Sequence, residues 1–188
     1  MKYEDEIIAI LKKKQRDQKY TDIRGEGLYI NDRFIRFCPR QIYDMINIYM
    51  PEEFIEMPRE IQMRVYPSVN RPQIILTSLD CCVHFAFNLI HDKVTKEQLP
   101  DLVVQIENII KKLNPSIEIQ QDIESTLPNG QRIHIFDYIG FGVDGRIYNM
   151  VCFVILNCGI LHGVFSCPDE ETEGWKGAAW QVFQTISE

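Results

Sequence analysis

No apolar run in the 188 residues approaches the ~18 to 20 needed to cross a bilayer, so the sequence offers no membrane-spanning helix. Basic charge is scarce, with 20 Lys and Arg against 27 Asp and Glu. The resulting net charge of -7 argues against a surface that tracks nucleic-acid phosphates. The one dense basic cluster, Lys12, Lys13, Lys14 and Arg16, closes a segment that begins with acids and reads as a solvated helix C-terminus. Histidine is limited to four residues, and no C-x-x-C or H-x-x-x-H spacing pre-assembles metal ligands. Missing too is a basic segment followed by an apolar core at the start, so no export signal is read there. The six cysteines are scattered, most of them in apolar stretches where cysteine acts as a small hydrophobe, and the chain reads as a reduced, cytoplasmic protein.

What is present is one globular core's worth of patterned sequence. In RIYNMVCFVIL, Ile147, Val151, Phe153 and Ile155 point to one side of an extended chain and Tyr148, Met150, Cys152, Val154 and Leu156 to the other. A strand apolar on both sides needs cover on both faces. Asn157-Cys158-Gly159 supplies a turn, and ILHGVFSC completes a hairpin.

Residues 4 to 19 read as an amphipathic helix with Ile7, Ile10 and Leu11 on one side, followed by a polar linker through Gly27. Residues 1–27 are therefore expected to form an N-terminal helix and linker, and 28–188 a single domain. Within that domain Asn31-Asp32 reads as a turn between two short strands that Pro39 ends, and INIYMP as a strand burying Ile46 and Ile48. Pro58 opens a short helix. QIILTS and CCVHFAFNLI read as two strands around a turn near Leu79-Asp80. Thr95 and Gln98 make a capping box for a helix with the stripe Leu99, Leu102, Val103, Ile106, Ile110 and Leu113. Strands follow at SIEIQQDIE and RIHIFDYI, joined by Pro128-Asn129-Gly130. A last helix from about Asp169 carries Trp175, Ala178, Ala179, Val182, Phe183 and Ile186 on one face. Tight turns between successive strands predict an α+β fold: a mostly antiparallel β-sheet covered by helices on both faces.

The runs INIYMPEEFIEMP, YPSVNRPQIILTS, VHFAFNL, KKLNP and CPDEETEGWKGAAWQVFQTIS resemble bacterial proteins of the PsbP-like α/β/α sandwich family, over roughly residues 33 to 187. The resemblance implies that fold, which a photosystem II extrinsic subunit, a Ran-binding nuclear import factor and the DcrB lipoproteins share. It also implies a theme of protein binding rather than catalysis. The chain departs from DcrB in having neither an export signal nor a lipidation cysteine, and no functional residue carries over.

Several residues invite chemistry. Gly140, Gly142 and Gly145 match the letters of a dinucleotide fingerprint, but a strand follows them where a phosphate-binding helix N-terminus is needed, so they read as part of a hairpin turn at Asp144-Gly145. Cys82 and His84 share a strand face that His134 and His162 could join as metal ligands, yet isolated strand histidines are more often hydrogen-bonded core residues. Cys167, just before Pro168 and the last helix, is the best candidate for a thiol nucleophile, against the commoner role of a buried strand cysteine. Trp180, opposite the docking stripe, is a candidate partner anchor together with Ile7 and Leu11.

The expectation is a non-enzymatic, soluble protein-binding domain, monomer or homodimer, without cofactor, catalytic set or metal. A small thiol-dependent enzyme centred on Cys167 and a small-ligand carrier are the alternatives. The carrier reading requires a formed apolar pocket between sheet and helix.

Overall fold

The structure, a computed structural model, describes residues 2–68, 70–91, 94–95, 97–142 and 145–188, with the side chains of positions 2–5 and 118 outside the description. In order, helix α1 (Lys2–Lys19) is followed by strands β1 (Leu28–Ile30), β2 (Arg33–Ile35), β3 (Phe37–Ile42), β4 (Ile46–Pro51) and β5 (Ile55–Glu56). Helix α2 (Arg59–Val65), β6 (Ile74–Thr77), β7 (His84–Ile90) and α3 (Leu99–Leu113) come next. The chain then runs through β8 (Glu118–Thr126), β9 (Arg132–Gly142), β10 (Gly145–Leu156), β11 (Gly159–Pro168) and α4 (Thr172–Gln184).

Seven strands form one sheet in the order β5-β6-β7-β11-β10-β9-β8, and every neighbouring pair is antiparallel. As the two-sided apolar pattern of β10 requires, this strand lies inside the sheet between β9 and β11. Tyr148, Met150, Cys152 and Val154 pack toward α4 with Leu161, Phe165 and Phe85. Val151 and Phe153 pack under α3 with Leu99, Val103, Phe136 and Ile160. The first face is closed by α4 together with the β1–β2 and β3–β4 hairpins, which contribute Ile30, Ile46, Ile48 and Met50. The second is covered by α3 and, over Ile75 and Ala86, by α2 through Ile61 and Tyr66. The fold class expected from the sequence is the one observed.

Two close approaches fix this arrangement. In the β10–β11 turn, Gly159 has φ +146°, and a Cβ there would stand 2.2 Å from the Ile90 carbonyl oxygen. Further along β11, a Cβ on Gly163 would meet Cys152 Sγ at 2.7 Å and the Phe183 ring at 3.1 Å, so α4 lies almost directly on strand backbone.

Several local expectations need correction. Pro39 does not end the early strands but sits inside β3, which among the described residues has β4 as its one strand partner, so its outer edge requires no N–H. Cys81 and Cys82 are not in β7: Cys81 has φ +60°, and Asp80 Oδ1 accepts from Ser78 Oγ (2.6 Å) and Cys82 N–H (3.1 Å). That local side-chain turn delays the strand to His84. Gln98 Oε1 does accept from the Thr95 N–H (2.9 Å), but α3 begins only at Leu99, and Leu113 ends its stripe exposed to solvent. Ile186 is buried as expected, though it lies past the end of α4.

The N-terminal segment is tied to the main body. Ile23 is fully buried in the α4-side core, its N–H donates to Gln181 Oε1 (3.1 Å), and Gln181 Nε2 donates to the Thr21 carbonyl (3.0 Å).

Candidate functional site

On the α3 side of the sheet the cover is incomplete. Helix α2 ends at Val65 and α3 at Leu113, and between these ends lies a groove of about 370 Å³ floored by β9, β10 and β11. The β-strand period places Tyr138 on β9, Ile147 and Asn149 on β10, Ser166 on β11 and His84 on β7 in its lining. These positions are adjacent in register, since Asn149 pairs with Tyr138 and Ser166, and Ser166 with His84.

The groove combines an apolar rim with a polar floor. Leu113 is 82% exposed and Phe141 60%, and with Val65 they stand around the opening. Below, Ser166 Oγ donates to Asn149 Oδ1 (2.7 Å), and Asn149 Nδ2 donates to the Ile147 carbonyl (3.2 Å). His84 is buried against the edge of the Tyr66 ring (5.8 Å), and among the described residues its Nδ1 has no hydrogen-bond partner. Burial lowers the His84 pKa to about 4, so the ring is neutral near pH 7. Burial also raises the phenol pKa of Tyr66 and Tyr138, keeping both hydroxyls protonated. The site therefore offers neutral hydrogen-bonding groups beneath an apolar lip.

A second polar constellation lies under α4. Asp137 is buried on the core-facing side of β9, where Oδ1 accepts from the Gln121 N–H (2.8 Å) and Oδ2 from the Tyr148 hydroxyl (2.7 Å). Lys176 Nζ reaches Oδ2 from α4 at 2.6 Å. Three donors from two strands and a helix thus converge on one buried carboxylate, which marks a structural clamp between helix and sheet.

The residues singled out from sequence fall in separate places. Cys167 is buried on the α4 side, and burial pushes its thiol up to about 12 despite the Thr172 hydroxyl beside it. This is the reverse of an activated nucleophile, so the geometry opposes the thiol-enzyme alternative. Trp180 is half-buried against the α4-side core rather than exposed. Ile7 and Leu11 stand exposed on α1, far in sequence from the groove. His84, His134 and His162 share the α3 face but diverge: His134 Nε2 bonds Asp122, His162 stacks on Phe153 at 4.7 Å, and His84 lines the groove. Cys82 lies in the turn away from them. Among the described residues no three metal-ligating side chains converge. Gly140 and Gly142 lie in β9 and Gly145 opens β10, so strand follows strand where a nucleotide site needs a helix. Val143 and Asp144, the rest of that expected turn, lie outside the described residues.

The groove and the Asp137 clamp both escape a reading by element. Asp137 carries a signal, because the alternation of Ile133, Ile135 and Ile139 puts a carboxylate on the core face. The groove carries none, since it depends on where two helices stop.

Comparison with known proteins places the fold. No family model matches the chain, and no curated protein does. Among solved structures, cyanobacterial PsbP (CyanoP) from Synechocystis is similar with a TM-score of 0.60 and 11% identity, over 87% of this chain and 95% of that one. LpqN, involved in cell envelope biogenesis of Mycobacterium tuberculosis, is similar with a TM-score of 0.51 and 16% identity, over 85% of this chain and 95% of that one. The chain has a PsbP-like fold.

Proposed function

We propose that this PsbP-like domain is a non-enzymatic binding module that seats an apolar segment of another protein in the groove between α2 and α3. The observation that carries the reading is the rim. Leu113 and Phe141 are large, apolar and exposed around a concave surface, the usual mark of a contact site for an anchoring side chain. A polar floor beneath such a rim gives specificity by hydrogen bonding. The net charge of -7 favours a protein over a nucleic acid. That all six cysteines are free supports a reducing, cytoplasmic setting.

Selection of a displayed random-peptide library tests this. Peptides with an aliphatic or aromatic anchor should be enriched, and should lose at least about tenfold in affinity for a Leu113→Asp, Phe141→Asp variant. Both side chains are exposed, so the variant should keep its unfolding midpoint. Selected peptides that bind both proteins equally would sink the groove as the docking site.

The unpartnered Nδ1 of His84 favours a second reading, a carrier of a small molecule with an apolar body and a polar head. It predicts a thermal shift with heteroaromatic compounds that survives in the rim variant but disappears in His84→Phe.

A further inference from the structure

We infer that the side chain seated in the groove between α2 and α3 is an uncharged aromatic anchor that donates a hydrogen bond to His84, a description that tryptophan meets. The inference rests on the groove reading above and names its occupant. A quarter of the chain is Asp, Glu, Lys or Arg, yet none of these is among the described residues that line the groove. A carboxylate or an ammonium group placed there would lose water without gaining a counter-charge. The head of the occupant is therefore neutral. Its body is apolar, because Val65, Ile110, Leu113, Phe141 and Ile147 form much of the lining. A volume of about 370 Å³ lies at the small end for a ligand site and suits one ring rather than a long segment.

Hydrogen bonding on the floor leaves one group over. Ser166 pairs with His84 across the strands, but its hydroxyl proton goes to Asn149 Oδ1, and the Asn149 amide donates to the Ile147 carbonyl. His84 stays outside this chain: its ring is 9% exposed, and Nδ1 has no partner among the described residues. With the proton on Nε2, Nδ1 is a buried acceptor, the kind of group that a bound donor stabilises. The Tyr66 ring stands edge-on against the imidazole, so an anchor that reaches Nδ1 shifts Tyr66 at the end of α2. Among side chains, tryptophan has a large apolar body, a single N–H donor, no acceptor of its own to satisfy and no charge. Phenylalanine brings no donor, and lysine and arginine bring charge.

NMR titration of the full chain with two uncharged probes tests the inference: N-acetyltryptophanamide, and its benzothiophene analogue, in which sulfur replaces the indole N–H. Wild type should bind the indole about tenfold more tightly, and only the indole should move the ring-nitrogen resonances of His84. N-acetyltryptophan, with its free carboxylate, should bind less tightly than the amide. His84→Phe should bind the two probes equally, and the wild-type comparison stands even if that variant fails to fold. The Leu113→Asp, Phe141→Asp variant should bind neither. Equal binding of the two probes by wild type would overturn the inference and leave the groove reading standing, as would selected peptides that dock in the groove without a tryptophan. Binding of both probes unchanged in the rim variant would overturn the two together.

Discussion

Lys176 Nζ stands 2.6 Å from Asp137 Oδ2 and joins α4 to the interior of the sheet. Asp137 is fully buried whereas the Lys176 side chain remains 33% exposed, so the two halves of the pair are not equivalent. Asp137→Ala removes the acceptor for Tyr148, Gln121 and Lys176 together and should cost about 3–5 kcal/mol. Lys176→Met leaves two donors on the carboxylate and an opening for water, and should cost about 1–2 kcal/mol. Urea unfolding measures both as midpoint shifts at constant slope. Equal effects would show that the lysine is sealed from water.

Thiol labelling of the native protein should begin at exposed Cys82, and slowly, because desolvation and then the neighbouring Asp80 raise its pKa. Cys152 and Cys167 are buried and should react only as fast as the protein unfolds. Rapid, saturable modification of Cys167 under native conditions would restore the case for a thiol enzyme.

Acid should weaken the fold through His84. Its ring takes a proton near 6.5 in the unfolded chain but only at about 4 in the folded one, because burial disfavours the charge. The unfolded state therefore binds more protons between those values. Stability is full above about pH 6.5 and falls as pH drops toward 4, by on the order of 3 kcal/mol from this residue. Half-buried His162, also lowered to about 4 by burial, adds to the same limb. His84→Phe should flatten the profile in that window, and an unchanged profile would mean that water reaches the ring.

Gly163→Ala should destabilise by about 1–3 kcal/mol, since its methyl group would press on Cys152, Phe183 and Phe87 together. Adding Cys152→Ala removes the nearest contact, so the double variant should be more stable than the sum of the single effects. Additive effects would indicate that the two aromatic rings, rather than the sulfur, set the limit.

Much of the fold was legible because period carries burial. The two-sided apolar pattern of β10, the stripe of α4 from Trp175 to Phe183 and the Asn157-Cys158-Gly159 turn each state a local preference that the sheet honours. The failures arose where side chains or partners override local pattern. Cys82 has a strand-like sequence, yet Asp80 captures its N–H, and Pro39 is tolerated because β3 needs no ladder on one edge. Trp180 falls outside the α4 stripe and is half-covered all the same. The site was least legible. A sequence reading can name Leu113 and His84 but cannot bring α2 and α3 to a halt on either side of them.

The hairpins β1–β2 and β3–β4 close the core against a helix synthesised long after them. Ile23 waits for Gln181, the Tyr49 N–H donates to Thr185 Oγ1 (2.9 Å), and Asn47 forms a β-bridge with Ser187. Such separations give a high contact order, which slows folding because loop closure must precede most of the stabilising contacts. On the ribosome, the N-terminal third must remain open until α4 emerges, with Ile46, Ile48 and Met50 lacking their final cover. A fragment released before α4 would present that surface to chaperones, which makes the last helix the element that commits the nascent chain to its native state.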